Sequence, residues 1–186
     1  MRIVLVLTLF AGLLSGCNGD DKAAGRPAGA SIAQMQATLK GAPAPLASLH
    51  RQSSQLLGGG KQAFEARLRG LRGRPAVVNK WASWCPPCRA EFSFFRNQAQ
   101  KRGKEIAFIG VNAEDNDADA AKFLRELPVS FPSYTDPQSE IAASLDAAVS
   151  FPSTVFIDSE GEQAYVRQGG YSSERKLAED IERYAR

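Results

Sequence analysis

The sequence predicts an α/β domain with a central mixed β-sheet flanked by helices. Two apolar runs, Ala76–Trp81 and Ile106–Val111, have the composition of buried strands. A helical pattern follows each of them, which is the alternation expected of a parallel sheet. Near the C-terminus, a turn sequence separates Val155–Ile157 from Gln163–Gln168 and predicts an antiparallel hairpin. Parallel and antiparallel strands together predict a mixed sheet.

The predicted helices fill the intervals around these strands. The segment from Pro87 to about Lys101 places Phe92, Phe95 and Ala99 on one apolar face. The other helices are predicted over Asp117–Leu127, over Glu140–Ala147, and from an N-cap at Ser172 to Tyr184.

Length and composition indicate one folded domain. The chain has 186 residues, of which 44% are hydrophobic and 23% charged, as in globular proteins. The net charge of +3 comes without a basic stripe, so nucleic-acid binding is not predicted. Residues 17–43 are rich in Gly, Ala and polar residues and predict a flexible tether, with a short helix around Ser31–Lys40. We assign the folded domain to residues 44–186 and expect a monomer.

The N-terminus has the pattern of an export signal. Arg2 precedes the mostly apolar run Ile3–Leu14, which is shorter than the roughly 20 residues of a membrane-spanning helix. The run ends in Leu14-Ser15-Gly16-Cys17, which resembles the lipobox of bacterial lipoproteins. This resemblance implies a signal peptide over residues 1–16 and a lipid on Cys17. An ordinary secretory signal with an incidental cysteine is the alternative.

Cys85 and Cys88 form a close pair where a predicted strand gives way to a helix. Prolines are tolerated in the first helical turn, so Cys85 falls at the helix N-terminus, where the helix dipole favours the thiolate. A thiolate is the attacking species in disulfide exchange, and Cys88 is placed to close a disulfide with it. Structural zinc takes four ligands, and His50 is the one further candidate in the domain, so no metal site is predicted.

Two segments resemble the TlpA/ResA/DsbE branch of the thioredoxin superfamily. Trp81-Ala82-Ser83-Trp84-Cys85-Pro86-Pro87-Cys88-Arg89-Ala90-Glu91 looks like the active site of that family. Phe151-Pro152-Ser153-Thr154-Val155-Phe156-Ile157-Asp158 looks like its cis-proline loop and the strand that follows. The resemblance covers about residues 43–186. It implies a thioredoxin-like fold and a thiol–disulfide oxidoreductase without a cofactor, in which the two cysteines are catalytic.

The resemblance also implies roles for residues around the cysteines. Pro152 is expected to follow a cis peptide bond, and Phe151 to present backbone groups to a substrate chain. Glu91 shares a helix face with Cys88 and is expected to accept or shuttle its proton; a solvated glutamate is the alternative. Apart from the resemblance, the position of Trp84 next to Cys85 predicts an apolar rim for partner chains, with a core position as the alternative.

The sequence departs from the family pattern at several positions. Lys80 stands where an aromatic residue is common, and Ser93 and Ser150 replace a typical proline and glycine. Asn79, which cannot titrate, occupies the position of the buried aspartate of thioredoxins proper. Ser48–Gly60 is a weak version of the opening hairpin of the family.

Two further polar features carry no predicted chemistry. His50 lies in a polar stretch and is expected at the surface or at an edge. Glu114-Asp115-Asn116-Asp117 lacks the alternating ligands of a calcium-binding loop and is interpreted as a solvated turn.

The resemblance implies a reductase that passes electrons to extracytoplasmic protein disulfides, for example those of apocytochrome c in cytochrome c maturation. A membrane thiol would supply the electrons, and the lipid on Cys17 would hold the domain at the outer face of the cytoplasmic membrane. Neither Pro86 nor Pro87 can donate an N–H to the Cys85 sulfur, so the thiolate has fewer donors near it. A less stabilised thiolate makes the reduced form of the cysteine pair less favoured, which favours reducing behaviour. A disulfide-introducing oxidase of exported proteins and a non-enzymatic, thiol-dependent metal chaperone remain open alternatives.

Overall fold

A computed structural model describes residues 30–186 of the chain. The helices are α1 (Ile32–Thr38), α2 (Ala44–Arg51), α3 (Gly60–Arg69), α4 (Pro86–Arg102), α5 (Asp117–Glu126), α6 (Glu140–Ser144) and α7 (Glu174–Tyr184). The strands are β1 (Leu56–Leu57), β2 (Ala76–Trp81), β3 (Ala107–Ala113), β4 (Ser133–Asp136), β5 (Ser153–Ile157) and β6 (Gln163–Gln168). Among these residues, no helix has the length and apolar composition needed to cross a membrane.

The strands form one mixed sheet in the order β1-β4-β3-β2-β5-β6. The first four of these strands are mutually parallel, and β5 and β6 run antiparallel to their neighbours. The predicted mixed sheet and the C-terminal hairpin are therefore confirmed. Strand β2 is central and is buried along its whole length.

Helices cover both faces of the sheet. Val77 and Val78 are successive residues of β2, and they belong to different hydrophobic clusters, as alternation along a strand requires. One cluster joins α4, α5 and α7 to the sheet; the other joins α2, α3 and α6. Full burial of each large apolar side chain in these clusters stabilises the fold by about 1.5–3 kcal/mol.

Helix α4 begins and ends where its sequence provides the signals. Cys85 is the N-cap, and Pro86 and Pro87 occupy the first helical turn, where a missing N–H costs no hydrogen bond. Basic residues in the last turn, Lys101 and Arg102, are stabilised by the negative end of the helix dipole.

Three predicted elements differ in their bounds or type. The N-cap of α7 is Ser173 rather than Ser172, because the hydroxyl of Ser173 accepts from the N–H of Lys176. Helix α6 ends at Ser144, earlier than predicted. The hairpin predicted over Ser48–Gly60 is wrong: α2 occupies its first part, and β1 pairs in parallel with β4.

The predicted signal peptide and Cys17 lie outside the described residues, as does most of the predicted tether. Within the tether, however, α1 packs against the domain. Met35 is fully buried, and Gln36 Nε2 donates to the His50 carbonyl over 2.8 Å. The folded domain therefore begins before residue 44, because an apolar side chain of α1 finds a buried site that composition alone did not reveal.

The prediction that His50 lies at the surface is wrong. Its side chain is buried, with Nε2 2.8 Å from the Gly103 carbonyl and Nδ1 3.3 Å from the Ser130 carbonyl. His50 thus joins α2 to the end of α4 and to the loop before β4. This contact is between residues far apart in the sequence, so the local polar composition could not predict it.

Candidate active site

The sheet topology brings the cysteine motif and the motif around Pro152 to the same end of the sheet. Cys85 follows the C-terminal end of β2, and Pro152 precedes the N-terminal end of β5. Because β5 runs antiparallel to β2, Ser153 pairs with Lys80 at this end. The cysteine motif and the motif around Pro152, which are separated by some sixty residues in the sequence, therefore meet at one end of the central strands.

Cys85 and Cys88 form a disulfide at the N-terminus of α4, with their Cα atoms 5.3 Å apart. The N–H of Cys88 donates to Cys85 Sγ over 3.1 Å. The two intervening prolines have no N–H and add no further donor. The Cys88 N–H and the positive end of the helix dipole both favour a thiolate on Cys85 after reduction. Cys85 is 2% exposed and Cys88 is fully buried.

Asp115 anchors the loop that carries the cysteines, a role that sequence reasoning missed. Its carboxylate accepts from the N–H of Ser83 over 2.6 Å, from Ser83 Oγ over 2.8 Å, and from Asn112 Nδ2 over 2.8 Å. The prediction of a solvated turn is therefore wrong for Asp115. The available signal was that β2 and β3 are adjacent parallel strands, whose following loops lie at the same sheet edge.

Trp84 is 55% exposed, so the alternative of a core position is wrong. Its Nε1 donates to the Glu114 carbonyl over 2.8 Å, which fixes the ring beside the cysteine loop. The ring packs against Phe151 with centroids 4.8 Å apart. The two rings form what we call the aromatic platform, Trp84 and Phe151, at the edge where Cys85 lies.

The peptide bond between Phe151 and Pro152 is cis, as expected from the resemblance. The carbonyl of Pro152 accepts from the N–H of Gly169, which ties this loop to the end of β6. The backbone just before Pro152 is thus left at the sheet edge, next to the cysteine loop.

Glu91 is 1% exposed, which rules out the alternative of a solvated glutamate. Its Oε2 accepts from the N–H of Tyr171 over 2.7 Å, and its Oε1 accepts from Asn79 Nδ2 over 3.1 Å. Burial raises the pKa of Glu91 to about 7, because the charged form loses its hydration; these two donors and the charge of Arg167 lower it only in part. A carboxyl with such a pKa can exchange a proton near neutrality.

The hydrogen bond from the N–H of Tyr171 to Glu91 had no signal in the sequence. Tyr171 lies in the connection between β6 and α7, and its N–H reaches a residue eighty positions earlier. Gly170 lies against the same site, since a Cβ atom there would be in ordinary contact with both Glu91 Oε2 and Pro152, at 3.4 Å from each. The Glu91 carboxyl is therefore held between β2 and the connection from β6 to α7.

The geometry supports thiol–disulfide chemistry. A reducible cysteine pair, a buried carboxyl on the same helix and a partly exposed aromatic platform meet at one end of the sheet. Among residues 30–186, no group of three or more His, Cys, Asp or Glu side chains is placed to hold a metal ion.

The comparisons with known proteins agree with this chemistry. The sequence model of the Redoxin family matches residues 39–181. The thiol:disulfide interchange protein DsbE of Pasteurella multocida is 30% identical over 129 residues, which cover 67% of this chain and 58% of that protein. The thiol-disulfide oxidoreductase ResA of Bacillus subtilis is 27% identical over 103 residues, which cover 55% of this chain and 57% of that protein.

The chain thus spans less than two thirds of the length of these two relatives. Among solved structures, MTB dsbF superposes with a TM-score of 0.57 at 28% identity, over 62% of this chain and 84% of that one. The likeness confirms the thioredoxin-like fold that the resemblance implied.

Proposed function

Because this chain belongs to the Redoxin family, we propose that it is an extracytoplasmic thiol–disulfide oxidoreductase that reduces disulfides of exported proteins. The observation that carries the proposal is the Cys85–Cys88 disulfide at the N-terminus of α4, beside the cis Phe151–Pro152 bond. Relatives named thiol:disulfide interchange protein and thiol-disulfide oxidoreductase support it.

The proposed reaction begins with both cysteines reduced. The Cys85 thiolate attacks one sulfur of a substrate disulfide, which forms a mixed disulfide and releases the other substrate sulfur as a thiolate. Cys88 then loses its proton, and its thiolate attacks Cys85 Sγ, which releases the second substrate thiolate. The enzyme ends as the disulfide and the substrate as the dithiol, so two electrons pass to the substrate. A membrane thiol donor would reduce the enzyme again.

Glu91 is proposed to accept the proton of Cys88 in the second step. It lies one turn after Cys88 on α4, and its pKa of about 7 allows it to take and return a proton. Trp84, Phe151 and Pro152 are proposed to bind the substrate chain beside Cys85. The backbone before a cis proline is left free of the sheet and can pair with an extended peptide.

The direction of electron flow is tested by the reduction potential of the cysteine pair. The purified chain is equilibrated in glutathione buffers, and a Cys88→Ser variant serves as the control that cannot close the disulfide. Known couples run from about −270 mV for thioredoxin to about −120 mV for a strong oxidant. A value near the lower end supports the reductase; a value near the upper end would make the protein a disulfide-introducing oxidase.

We propose apocytochrome c cysteines as one substrate class and the outer face of the cytoplasmic membrane as the location, held by a lipid on Cys17. Labelled fatty acid fed to expressing cells should appear on the native chain and not on a Cys17→Ala variant. If both chains carry the label, or neither does, this anchor is wrong.

A further inference from the structure

Lys80 is a buried cation whose ammonium is held by the loop before Pro152. The residue is 2% exposed. Its Nζ donates to the Ala148 carbonyl over 2.7 Å and to the Ser150 carbonyl over 3.2 Å. The same Nζ lies 3.5 Å from the centroid of the Phe151 ring. The contacts of this one side chain thus span the whole segment 148–151, which we call the proline loop.

The proline loop has little other polar support. Among the described residues, no backbone–backbone hydrogen bond outside regular elements involves residues 148–151. One side-chain bond ends there, from Ser153 Oγ to the Ser150 carbonyl over 2.8 Å. Lys80 makes two bonds to this loop and adds a cation–π contact, which is strongest where water is excluded. The polar support of the loop therefore comes chiefly from Lys80, beside the packing of the Phe151 ring.

The charge is also costly to bury. Burial lowers the pKa of Lys80, while the charges of Glu114 and Asp136 act in the opposite direction. An apolar side chain of similar size would fill this space without the cost of desolvating a charge, but it would offer no donor to the two carbonyls. The ammonium of Lys80 is therefore the group that supplies these carbonyls with a donor.

We propose that Lys80 is a positioning residue for the protein substrate, which fixes the proline loop so that Phe151 and Trp84 form a preformed surface beside Cys85. The inference rests on the proposed function and identifies what sets substrate binding in this chain. Phe151 connects Lys80 to Trp84, since its ring contacts the ammonium of Lys80 and also the ring of Trp84. A surface that is rigid before binding loses less entropy when the substrate docks.

The first experiment compares the native chain with Lys80→Met in the reduction of insulin, a protein disulfide, and of glutathione disulfide, which is too small to cover the platform. We expect KM for insulin to rise about tenfold with kcat nearly unchanged, because misplacement of a binding surface weakens docking. Rates with glutathione disulfide and the reduction potential should stay as in the native chain. Met35→Ala is the control, a buried change in α1 remote from this loop in the sequence.

An unchanged KM for insulin in folded Lys80→Met would overturn the proposal. So would a shifted reduction potential with an unchanged KM, because Lys80 would then act on the Cys85 thiolate and not on the loop. If Met35→Ala raises KM to the same extent, a general loss of stability explains the effect and the proposal is wrong.

A second experiment needs no turnover and uses Lys80→Phe as well as Lys80→Met. The chain has two tryptophans, and Trp81 is fully buried, so acrylamide quenching of fluorescence reports mainly on Trp84. Both variants should raise the quenching constant towards that of Phe151→Ala. An unchanged constant in both would overturn the role of Lys80. If instead the native chain reduces no disulfide, the proposed function fails while quenching still tests the role of Lys80 in holding the loop.

Discussion

Replacement of Glu91 by glutamine tests the state of the buried carboxyl. Burial raises the pKa of Glu91 from its ordinary 4.5 to about 7 in the folded chain, whereas the unfolded chain titrates near the ordinary value. Between these two values, the folded state keeps a proton that the unfolded state releases. The free energy of unfolding therefore falls as pH rises through this interval.

The size of the effect follows from the two pKa values. Well below pH 4.5 the carboxyl is protonated in both states and contributes nothing to the pH dependence. Ionisation lowers the free energy of unfolding by about 1 kcal/mol at pH 5 and by about 3 kcal/mol at pH 8. Glu91→Gln removes this charge. The variant should therefore gain about 2 kcal/mol relative to the native chain between pH 5 and pH 8.

The substitution can keep the local hydrogen bonds. The N–H of Tyr171 can donate to the new amide oxygen as it does to the carboxylate. Asn79 Oδ1 is buried without a hydrogen-bond partner among the described residues, so a turn of that amide lets it accept from the new N–H. The pH-dependent part of the stability change therefore comes from the charge and not from lost contacts.

The assay is urea denaturation of the oxidised native chain and of Glu91→Gln at pH 5 and pH 8. Glu126→Gln is the matched control, because Glu126 makes an exposed ion pair with Arg89 and should leave the difference between the two pH values unchanged. If the native chain and Glu91→Gln differ equally at both pH values, Glu91 has an ordinary pKa and the argument from burial is wrong.

Four further outcomes follow from the same contacts. In stopped-flow disulfide exchange, Glu91→Gln should be slow mainly above pH 7, where the native carboxylate is ionised and can accept the proton of a thiol. Asp115→Ala frees the loop after β2 and leaves its donors without the carboxylate; we expect a loss of about 1–3 kcal/mol in urea denaturation and slower exchange. Gly110→Ala should cost about 1–3 kcal/mol by the same assay, because its Cβ would lie 2.9 Å from Ser133 Cβ. Met35→Ala should cost about 2–5 kcal/mol, since it empties a buried site under α1.

Each of these outcomes has a contrary result. An exchange rate of Glu91→Gln that follows the native pH profile would remove the carboxyl from the reaction. Native stability in Asp115→Ala would mean that the loop needs no anchor. A neutral Gly110→Ala would show that the contact with β4 relaxes, and a neutral Met35→Ala would return α1 to the tether.

The sheet and the cysteine helix could be predicted because their signals are local. The apolar run of β2, the prolines after Cys85, and the hairpin turn each act within a few residues, and the structure has these elements near the predicted bounds. The cis bond before Pro152 was expected from resemblance and not from local physics, since X–Pro bonds are mostly trans.

What the sequence could not predict depends on contacts between distant residues. The burial of Met35 and His50, the anchoring role of Asp115 and the N–H from Tyr171 each join segments separated by at least fourteen positions. For His50 and Asp115, the polar character of the side chain led to a wrong prediction of solvent exposure, because each satisfies its hydrogen bonds within the protein. A composition argument treats such a group as solvated, because it cannot see the partner.

The two unusual residues of β2 act on opposite faces of the sheet because they are neighbours in a strand. Asn79 faces Glu91, and Lys80, one residue later, faces the proline loop on the other side of the sheet. Arg167 is the basic side chain that acts on the pKa of Glu91, and its effect is smaller than that of burial. An ammonium at position 79 would stabilise the carboxylate and lower that pKa well below neutrality. The alternation of β2 thus lets one strand hold a cation for substrate binding while keeping the acid on its other face close to neutral pH.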